Sequence, residues 1–503
     1  MRFGKTRTLV FLALALPLLF FSACPPDNSG PTTTYFTVTF DKNTDKAVSG
    51  LPPSQKVAQG GMVIEPDAPD AAGNRFPFQG WFKEGATANA WVFTSDTVTA
   101  NTTLYAKWGS EPMSEKTAWN YFQDEGILAG WNVGNTLDSH NSVTGGETGW
   151  GNPQINQVLL NGVKAAGYDM VRVPVTYMAQ IGDAPDYIIA PARLNRVQQV
   201  VDMCYEAGLK VMINIHHDGH GTDAQNAAWL AIAKSNTDKV NYIDKYKKVW
   251  TQIAERFKDY GDFLFFEAFN ELHQNWNLPG GQQGDTYKAV INELNQEFTN
   301  VVRATGSNNA KRYLVHKGYQ AHEDYTYQYL ILPTDPSPNR QIVSFHYYKP
   351  NTVGLGQGST VNTTWGSQND KDTMDQVFEH YKTTYTSNQI PVLIGECGAT
   401  RRKYNENPNA TEQAHTSRLA YLTHLYATGK KYNLVPIYWD NGRFDTIGDI
   451  TQEYFGLFAR YWLEGEGGLP YGLFEIPVTY EFAECIEAMI KAVKPNYQFP
   501  WRQ

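Results

Sequence analysis

The stretch FLFFEAFNEL, residues 263–272, decides the fold that we predict for this chain. It is largely apolar until it reaches Asn270 and Glu271. A short apolar run of this kind is typical of a strand buried on both faces, as in a parallel sheet. A second stretch, PVLIG at residues 391–395, ends in the same way at Glu396. Barrels of parallel strands place their chemistry at the carboxyl ends of the strands, so we expect these two carboxylates to meet there.

Two carboxyl groups at one site are the catalytic groups that hydrolysis of a glycosidic bond usually requires. One of them must be protonated so that it can donate to the leaving oxygen, which requires a raised pKa. The other must be ionised, either to attack the anomeric carbon or to activate water. Glu271 and Glu396 are therefore candidate catalytic residues.

The composition sets broad limits on the function. The chain has 503 residues, enough for a large core and more than one domain. Its net charge of −9 is spread without long runs, so we expect no nucleic-acid partner. Aromatic residues make up 14% of the chain, including 13 tryptophans. A large aromatic core explains them, and so does a sugar cleft, because flat rings match the C–H faces of pyranose units; both interpretations can hold for different residues.

The four cysteines form neither a disulfide framework nor a metal site by their spacing. We interpret Cys204, Cys397 and Cys485 as small buried apolar residues. A reactive thiol at Cys397, next to Glu396, is the alternative. We expect no cofactor.

Residues 1–23 are predicted to be a targeting segment, with basic residues first and an apolar run at residues 9–21. That run is too short to span a membrane in the mature protein. It ends in FSAC, which resembles a bacterial lipoprotein signal and implies lipidation of Cys24, although Phe21 stands where that motif usually has leucine. An ordinary secretory signal is the alternative. We expect export, with the protein lipid-anchored to the cell envelope or secreted, and a Pro/Ser/Thr/Gly tether at residues 24–34.

Residues 35–108 are predicted to form a small all-β module, because short β-prone segments alternate with turn signals. The order FTVTFD, GG, FQGWF, WVF and TLYAKW resembles the Listeria–Bacteroides repeat, a β-grasp-like module of bacterial surface proteins. We expect Trp81, Trp91 and Trp108 to lie mainly in its core. The module fits a spacer, a protein-binding unit or a weak glycan binder, and we favour the spacer.

From residue 113 to residue 503 strand patterns alternate with helical patterns, which predicts parallel βα units. The fold class that we predict is an α/β chain with a (β/α)8 TIM barrel. A doubly wound open sheet is the alternative, but no Gly-rich phosphate loop supports it. The predicted strands cover residues 128–133, 170–175, 210–215, 263–269, 312–316, 342–347, 391–395 and 435–439. The predicted helices cover residues 155–166, 192–207, 242–260, 287–304, 373–384, 411–426 and 482–493.

Polar residues collect where these strands finish, and together they predict one pocket. Arg172 is expected to hold one carboxylate ionised by its fixed charge. His346 is expected to hydrogen-bond the acid, and Asn270 to donate to a sugar 2-hydroxyl. Trp439 is expected to form the floor under the reacting ring. The pair His216-His217 before Asp218 also suggests a metal site, but we find no third ligand at suitable spacing and expect no metal.

The motifs GWNVGNTLD, ETGWGNP, VRVPV, INIHHD, FEAFNEL, FHYY and LIGECGA are similar to those of glycoside hydrolase family 5, and most similar to its subfamily 4 of bacterial endoglucanases. This resemblance spans residues 116–495. It implies a retaining mechanism with Glu271 as acid/base and Glu396 as nucleophile. It also implies a substrate-binding set of Arg172, His216, His217, Asn270, His346, Tyr348, Trp439, Asn135 and Trp150, in which His217, Asn135 and Trp150 line the glycone side.

The resemblance implies an endo-β-1,4-glucanase that acts on cellulose or mixed-linkage β-glucan. We expect the protein to be a monomer. A xyloglucanase, a xylanase and a mannanase remain alternatives, because the same barrel and carboxylates serve all of them. A non-catalytic glycan-binding surface protein is the alternative from another class. Trp276 and Trp365 lie in predicted loops, and each fits either an aglycone-side platform or the local core.

Overall fold

The computed structural model describes residues 33–502, apart from 74, 84–88, 141–145, 220–227, 231, 233–235, 275, 277, 357–363, 403–406, 444–452, 459 and 461–479. The predicted signal peptide, Cys24 and most of the tether lie outside the described residues. The chain divides into two compact units, Met1–Trp108 and Gly109–Gln503. Across the described ranges, no helix is both long and apolar enough to cross a membrane.

The first unit is an all-β module, as predicted. Its main sheet has the order β3-β1-β6-β5, and β2 pairs with β4. Trp81 and Trp91 are buried in its core, and the partly buried Trp108 packs against that core, which confirms their predicted placement. The strands are β1 (Tyr35–Asp41), β2 (Val48–Ser49), β3 (Gln55–Ala58), β4 (Asp70–Ala71), β5 (Phe78–Phe82) and β6 (Thr102–Trp108).

The second unit contains a closed barrel in which every neighbouring pair of strands is parallel. The predicted (β/α)8 barrel is confirmed, and each predicted strand overlaps an observed one. The strands are β7 (Gly130–Val133), β8 (Met170–Val173), β9 (Lys210–Asn214), β10 (Leu264–Glu267), β11 (Leu314–His322), β12 (Gln341–Tyr347), β13 (Val392–Cys397) and β14 (Leu434–Asp440).

Strand β11 differs from its prediction, because it runs on to His322 instead of ending at residue 316. Its pairing with β12 shifts register between Lys317 and His322. Gln320 and Ala321 adopt φ angles of 61° and 50°, a region that residues with a Cβ rarely adopt. The β propensity of the sequence did not reveal this irregular extension, which brings residues of β11 to the rim of the barrel.

Helices surround the barrel, and the predicted C-terminal stops Gly167 and Gly208 adopt φ angles of 99° and 73° as helix-ending glycines do. The helix Gln368–Thr384 begins with a capping box between Ser367 and Asp370. The helices are α1 (Ala118–Asp124), α2 (Gln157–Ala165), α3 (Pro191–Glu206), α4 (Asn236–Phe257), α5 (Gly281–Ala304), α6 (Glu323–Tyr329), α7 (Asn351–Gly354), α8 (Gln368–Thr384), α9 (Pro408–Tyr432) and α10 (Tyr480–Val493).

The amino-terminal end of the barrel is closed by an apolar cluster. Tyr121 and Phe122 of α1 pack with Phe265 of β10 and with residues near the beginnings of the other strands. Burying one such aromatic side chain stabilises the fold by about 1.5–3 kcal/mol. This packed end leaves the opposite, carboxyl end of the strands for a site, which is where barrels of this type carry their chemistry.

Candidate active site

The two glutamates meet at one cavity at the carboxyl end of the barrel. Glu271 follows β10, and Glu396 lies in β13. A carboxylate oxygen of each lies within 4.8 Å of the other and of a ring nitrogen of His346. The cavity has a volume of about 680 Å³. It is lined by His216, His217, Asn270, Glu271, Trp276, Gln320, Ala321, His322, Glu323, His346, Tyr348, Lys349, Asn351, Leu355, Glu396, Trp439, Glu453 and Phe455.

Arg172 of β8 lies beneath this cavity and has no solvent-exposed surface. Its Nη1 donates to Glu396 Oε1 at 2.7 Å, and its Nε donates to Glu267 Oε2 at 2.8 Å. Its Nη2 donates to Asn270 Oδ1 at 2.8 Å. The resemblance placed Arg172 among the substrate-binding residues; its side chain is buried and is absent from the described lining of the cavity, and a direct contact with substrate stays a prediction. Arg172 holds the carboxylates, as its charge had led us to expect.

His346 of β12 bridges the two candidate catalytic groups. Its Nδ1 lies 2.6 Å from Glu271 Oε1 and 3.5 Å from Glu396 Oε2. Its Nε2 lies 2.8 Å from Nζ of Lys317. Burial lowers the pKa of His346 well below its usual value, and the positive charges of Lys317 and Arg172 lower it further. His346 is therefore a neutral imidazole that can donate one hydrogen bond and accept another.

The two carboxyl groups are placed in different electrostatic surroundings. Burial raises the pKa of Glu271 to about 8, and the charge of Glu396 adds to this rise. Burial also raises the pKa of Glu396, but the guanidinium of Arg172 opposes the rise by direct contact. The proton shared by this pair therefore belongs on Glu271, and Glu396 is the ionised partner. One acid and one base at neutral pH are what hydrolysis of a glycosidic bond requires.

Asn270 and Tyr348 supply hydrogen bonds at the same wall of the cavity. Asn270 Oδ1 accepts a hydrogen bond from Arg172, so the NH₂ group of Asn270 is the donor that remains on the cavity side. The hydroxyl of Tyr348 donates to Glu396 Oε2 at 3.2 Å. Burial raises the pKa of Tyr348 well above its usual value, so the phenol remains a donor. Glu396 thus has a donor on each oxygen, which stabilises its ionised form.

Trp439 lies flat beside His216 and forms part of the cavity wall. Their ring centroids are 5.9 Å apart, and the ring planes differ by 2°. Gly134 makes this position of the indole possible, because a Cβ at residue 134 would lie 2.7 Å from Trp439 Cζ2. Steric crowding by the indole therefore explains why residue 134, the second glycine of the GWNVGNTLD motif, has no side chain. Burial lowers the pKa of His216 well below its usual value, so this ring is also neutral.

The three residues expected on the glycone side are placed differently from one another. Of the described residues, His217 lines the cavity, whereas Asn135 and Trp150 are absent from its lining. The ring of Trp150 packs 5.4 Å from that of His217, and its Nε1 donates to the carbonyl of His140. Asn135 adopts a φ of 56° in a turn, and its N–H donates to Asp138 Oδ2 at 3.0 Å. Both residues lie behind the described lining, and the glycone-side role of all three residues stays a prediction.

The two tryptophans in predicted loops have different surroundings. Trp276 is 65% exposed and lines the cavity near Glu271. Its ring lies 4.2 Å from that of His273. Trp365 is buried, and its ring packs 5.3 Å from that of Tyr421. The structure therefore assigns Trp276 to the cavity and Trp365 to the local core.

Three charged residues of the site were missed in the sequence. Glu267 stands inside the opening apolar stretch and is fully buried between Arg172 and Lys317. A lone acid in so apolar a run was a signal that could have been used. Lys317 is likewise a charged residue inside a largely buried strand, β11. Glu453 lines the cavity from the segment after β14, where no sequence pattern pointed to it.

The histidine pair does acquire a third potential metal ligand in space. Asp138 brings a carboxylate oxygen within 4.8 Å of ring nitrogens of His216 and His217, which corrects the sequence analysis. Both oxygens of Asp138 accept backbone hydrogen bonds, from Thr136 at 2.7 Å and from Asn135 at 3.0 Å. The turn geometry is therefore sufficient to explain the position of Asp138.

A (β/α)8 barrel that holds two carboxyl groups this close, one protonated and one ionised, defines a glycoside hydrolase. The chain belongs to glycosyl hydrolase family 5, because the model for Cellulase (glycosyl hydrolase family 5) matches residues 133–445. The model for the Listeria-Bacteroides repeat domain matches residues 36–107, which confirms the predicted module.

Similar proteins support the same family. Endoglucanase A of Paenibacillus barcinonensis is 38% identical, over 66% of this chain and 84% of its own length. The solved structure of a family 5 xyloglucanase from Paenibacillus pabuli has a TM-score of 0.62 and 34% identity, and covers 73% of this chain and 99% of that chain. A broad specificity endoglucanase of subfamily 4 from Bacteroides salanitronis also has a TM-score of 0.62 and 34% identity, over 73% of this chain and 93% of that chain.

Proposed function

We propose that this hydrolase is a retaining endo-β-1,4-glucanase that cleaves internal bonds of cellulose or mixed-linkage β-glucan. The observation that carries the proposal is the pair of carboxylate oxygens of Glu271 and Glu396 within 4.8 Å of each other. Retaining enzymes hold their carboxyl groups about 5–5.5 Å apart, whereas inverting enzymes leave about 6.5–9.5 Å for a water molecule. The close spacing therefore favours direct attack by a carboxylate.

In the first step of the proposed reaction, Glu396 attacks the anomeric carbon while Glu271 donates its proton to the leaving oxygen. A glycosyl ester forms on Glu396, and the aglycone leaves as an alcohol. The ester carries no charge, so the contribution of Glu396 to the raised pKa of Glu271 disappears. Glu271 is then ionised and takes a proton from the water that hydrolyses the ester.

The cavity walls supply contacts for the sugar on both sides of the scissile bond. The amide of Asn270 donates to the 2-hydroxyl, and Trp439 with His216 forms a flat wall beside the reacting ring. His217 contacts the sugar on the glycone side. Asn135 stabilises the nearby turn through its hydrogen bond to Asp138, and the ring of Trp150 packs against the ring of His217. The exposed ring of Trp276 is the platform on the aglycone side.

Xyloglucanase activity is the second candidate, because a family 5 xyloglucanase is among the similar solved structures. Xylanase and mannanase activities use the same barrel and carboxylates and rank below it. A panel of carboxymethyl cellulose, barley β-glucan, xyloglucan, xylan and mannan separates these activities. A fast fall in viscosity of the unbranched glucans with few new reducing ends supports the endo-glucanase. Much faster cleavage of xyloglucan changes the substrate and leaves the roles of the two glutamates intact.

The mechanism is tested by the stereochemistry of the product and by two variants. Proton NMR of the first product should show the β-anomer, because a double displacement retains configuration. Glu396→Ala should bind glucan without cleaving it, and azide should rescue the cleavage of an aryl β-cellobioside by Glu271→Ala. A first product with the α-anomer contradicts the retaining mechanism.

We propose a signal peptide at residues 1–23, a tether at 24–34, the β-module at 35–108 and the catalytic domain at 113–503. The protein is exported as a monomer and anchored through lipidated Cys24, and the module acts as a spacer. Cys24→Ala should move the enzyme from the membrane fraction to the soluble fraction of a bacterial host. An unchanged distribution between the two fractions argues for the ordinary secretory signal.

A further inference from the structure

Lys317 is a fully buried lysine directly behind the catalytic groups, and the mechanism above does not use it. It belongs to β11 and has no exposed surface. Lysines are almost never fully buried unless they are paired. Its Nζ lies 3.0 Å from Glu267 Oε1 and 2.8 Å from His346 Nε2. Burial lowers the pKa of Lys317 to about 8, and Glu267 opposes the lowering, so the amine is charged at neutral and lower pH.

The charge of Lys317 determines which nitrogen of His346 carries the proton. An ammonium group has three donors and no acceptor, so His346 Nε2 must be the acceptor in their contact. The single proton of the neutral imidazole therefore lies on Nδ1. That N–H donates to Glu271 Oε1 at 2.6 Å. Because Oε1 accepts this bond, the proton of neutral Glu271 is left on the other oxygen, Oε2.

We propose that Lys317 is a positioning residue that fixes, through His346, which oxygen of Glu271 carries the catalytic proton. Without it, His346 is free to adopt the opposite tautomer, with its proton on Nε2 and Nδ1 as an acceptor. Neutral Glu271 would then donate from Oε1 to His346, and the proton would point away from the glycosidic oxygen. This inference rests on the proposed role of Glu271 as the acid.

The charge balance of the site points in the same direction. Arg172 and Lys317 are positive, Glu267 and Glu396 are negative, and Glu271 is neutral. When Glu396 becomes an ester, ionised Glu271 restores the second negative charge. Lys317 thus supports both the acid and the base form of Glu271. Besides Arg172, Glu267 and Lys317, the titratable and charged groups that the described cavity lining brings around Glu271 are His216, His217, His322, Glu323, His346, Tyr348, Lys349, Glu396 and Glu453. Burial raises the pKa of Glu453, and the positive charges of Arg402 and Arg443 act on Glu453 and oppose this rise.

Two substrates with different leaving groups test this inference with the full chain. Cellotetraose has a poor leaving group and needs the proton of Glu271, whereas 2,4-dinitrophenyl β-cellobioside leaves without protonation. We expect Lys317→Met to lower kcat/KM for cellotetraose by about 10- to 100-fold, since general acid catalysis contributes about 10²–10⁴-fold. The value of kcat/KM for the dinitrophenyl substrate, which reports the first step alone, should change by less than about threefold. Both limbs of the profile of kcat/KM against pH should move to higher pH, because loss of a positive charge raises the pKa of both Glu271 and Glu396.

Three controls make the outcome decisive. His316→Gln alters the neighbouring buried residue, which contacts Asn295 and lies outside the cavity lining, and should affect neither substrate selectively. Lys317→Arg keeps the charge and the donor and should restore part of the cellotetraose activity. If Lys317→Met does not fold, the double variant with Glu267→Gln leaves no unpaired buried charge at these positions. It is compared with the Glu267→Gln single variant, and the additional loss must again be selective for cellotetraose.

Equal losses on both substrates by a folded Lys317 variant, or no loss on either, overturn the inference. The proposed function fails separately. If Glu271→Ala shows no selective loss on cellotetraose, then Glu271 is not the acid. If Glu271→Ala shows that loss and the Lys317 variant does not, only the role of Lys317 is wrong.

Discussion

Arg172 Nη1 lies 2.7 Å from Glu396 Oε1, so a guanidinium without solvent contact is paired with the proposed nucleophile. The same guanidinium donates to Glu267 and Asn270. A lysine keeps the charge at this position but cannot reproduce the planar fork of donors. The contact therefore sets both the orientation and the ionisation of Glu396.

Arg172→Lys should lower kcat/KM by about 10²-fold, within the range for misplaced catalytic groups. It should also move the acidic limb of the pH profile upward, because Glu396 loses part of the interaction that favours its ionised form. The measurement is kcat/KM against pH on a soluble β-glucan. Arg303→Lys is a matched control, since Arg303 forms a buried ion pair with Asp335 outside the cavity lining. It should alter thermal stability and leave the acidic limb in place.

The pH profile of the unmodified enzyme should lose activity in base as Glu271 ionises. The pKa of this acid is raised to about 8, and its protonated form is the active one in the first step. The value of kcat/KM should therefore fall as the pH rises through about 8. The value of kcat/KM for 2,4-dinitrophenyl β-cellobioside, which leaves without protonation, should lack this basic limb. The same basic limb on both a soluble β-glucan and the dinitrophenyl substrate would assign it to another group.

Gly134→Ala should disturb the wall formed by Trp439, because the added Cβ would lie 2.7 Å from the indole. We expect a loss in kcat/KM of about tenfold or more, since small misplacements in an active site are costly. Gly182→Ala is the matched control, where the nearest atom to an added Cβ is at 3.5 Å. Equal effects of the two substitutions would show that the position of the indole is unimportant.

The buried cysteines should be unreactive in the folded enzyme. Cys204, Cys397 and Cys485 are buried, and burial raises the pKa of the thiols of Cys204 and Cys397. In a Cys24→Ser background, a chromogenic disulfide reagent should label no thiol under native conditions and three after unfolding. Labelling of Cys397 with loss of activity would support the alternative of a reactive thiol.

Deletion of residues 35–108 should leave the cleavage of cellotetraose nearly unchanged. The contact pattern divides the chain after Trp108, and the barrel with its cavity belongs to the second unit. The measurement compares kcat/KM for this short soluble substrate before and after deletion. A large loss with intact folding would mean that the module contributes to the catalytic unit.

Much of this architecture was predictable because it depends on local patterns. Short apolar runs that end in polar residues marked the barrel strands, and Gly167 and Gly208 marked helix ends. The two glutamates were predictable because each directly follows or ends such a run. The extension of β11 was not predictable, since its register shift arises from pairing with β12 and not from the propensity of its own residues.

The sequence by itself determined the class of the fold, the positions of Glu271 and Glu396 and the motifs of the family. Only the tertiary structure decided that Arg172 lies beneath the site and that Lys317 and Glu267 belong to it. The physical reason is that these properties depend on barrel closure. Closure brings side chains from many strands into one buried space, and the pKa of each group there depends on the burial and charges that its neighbours create.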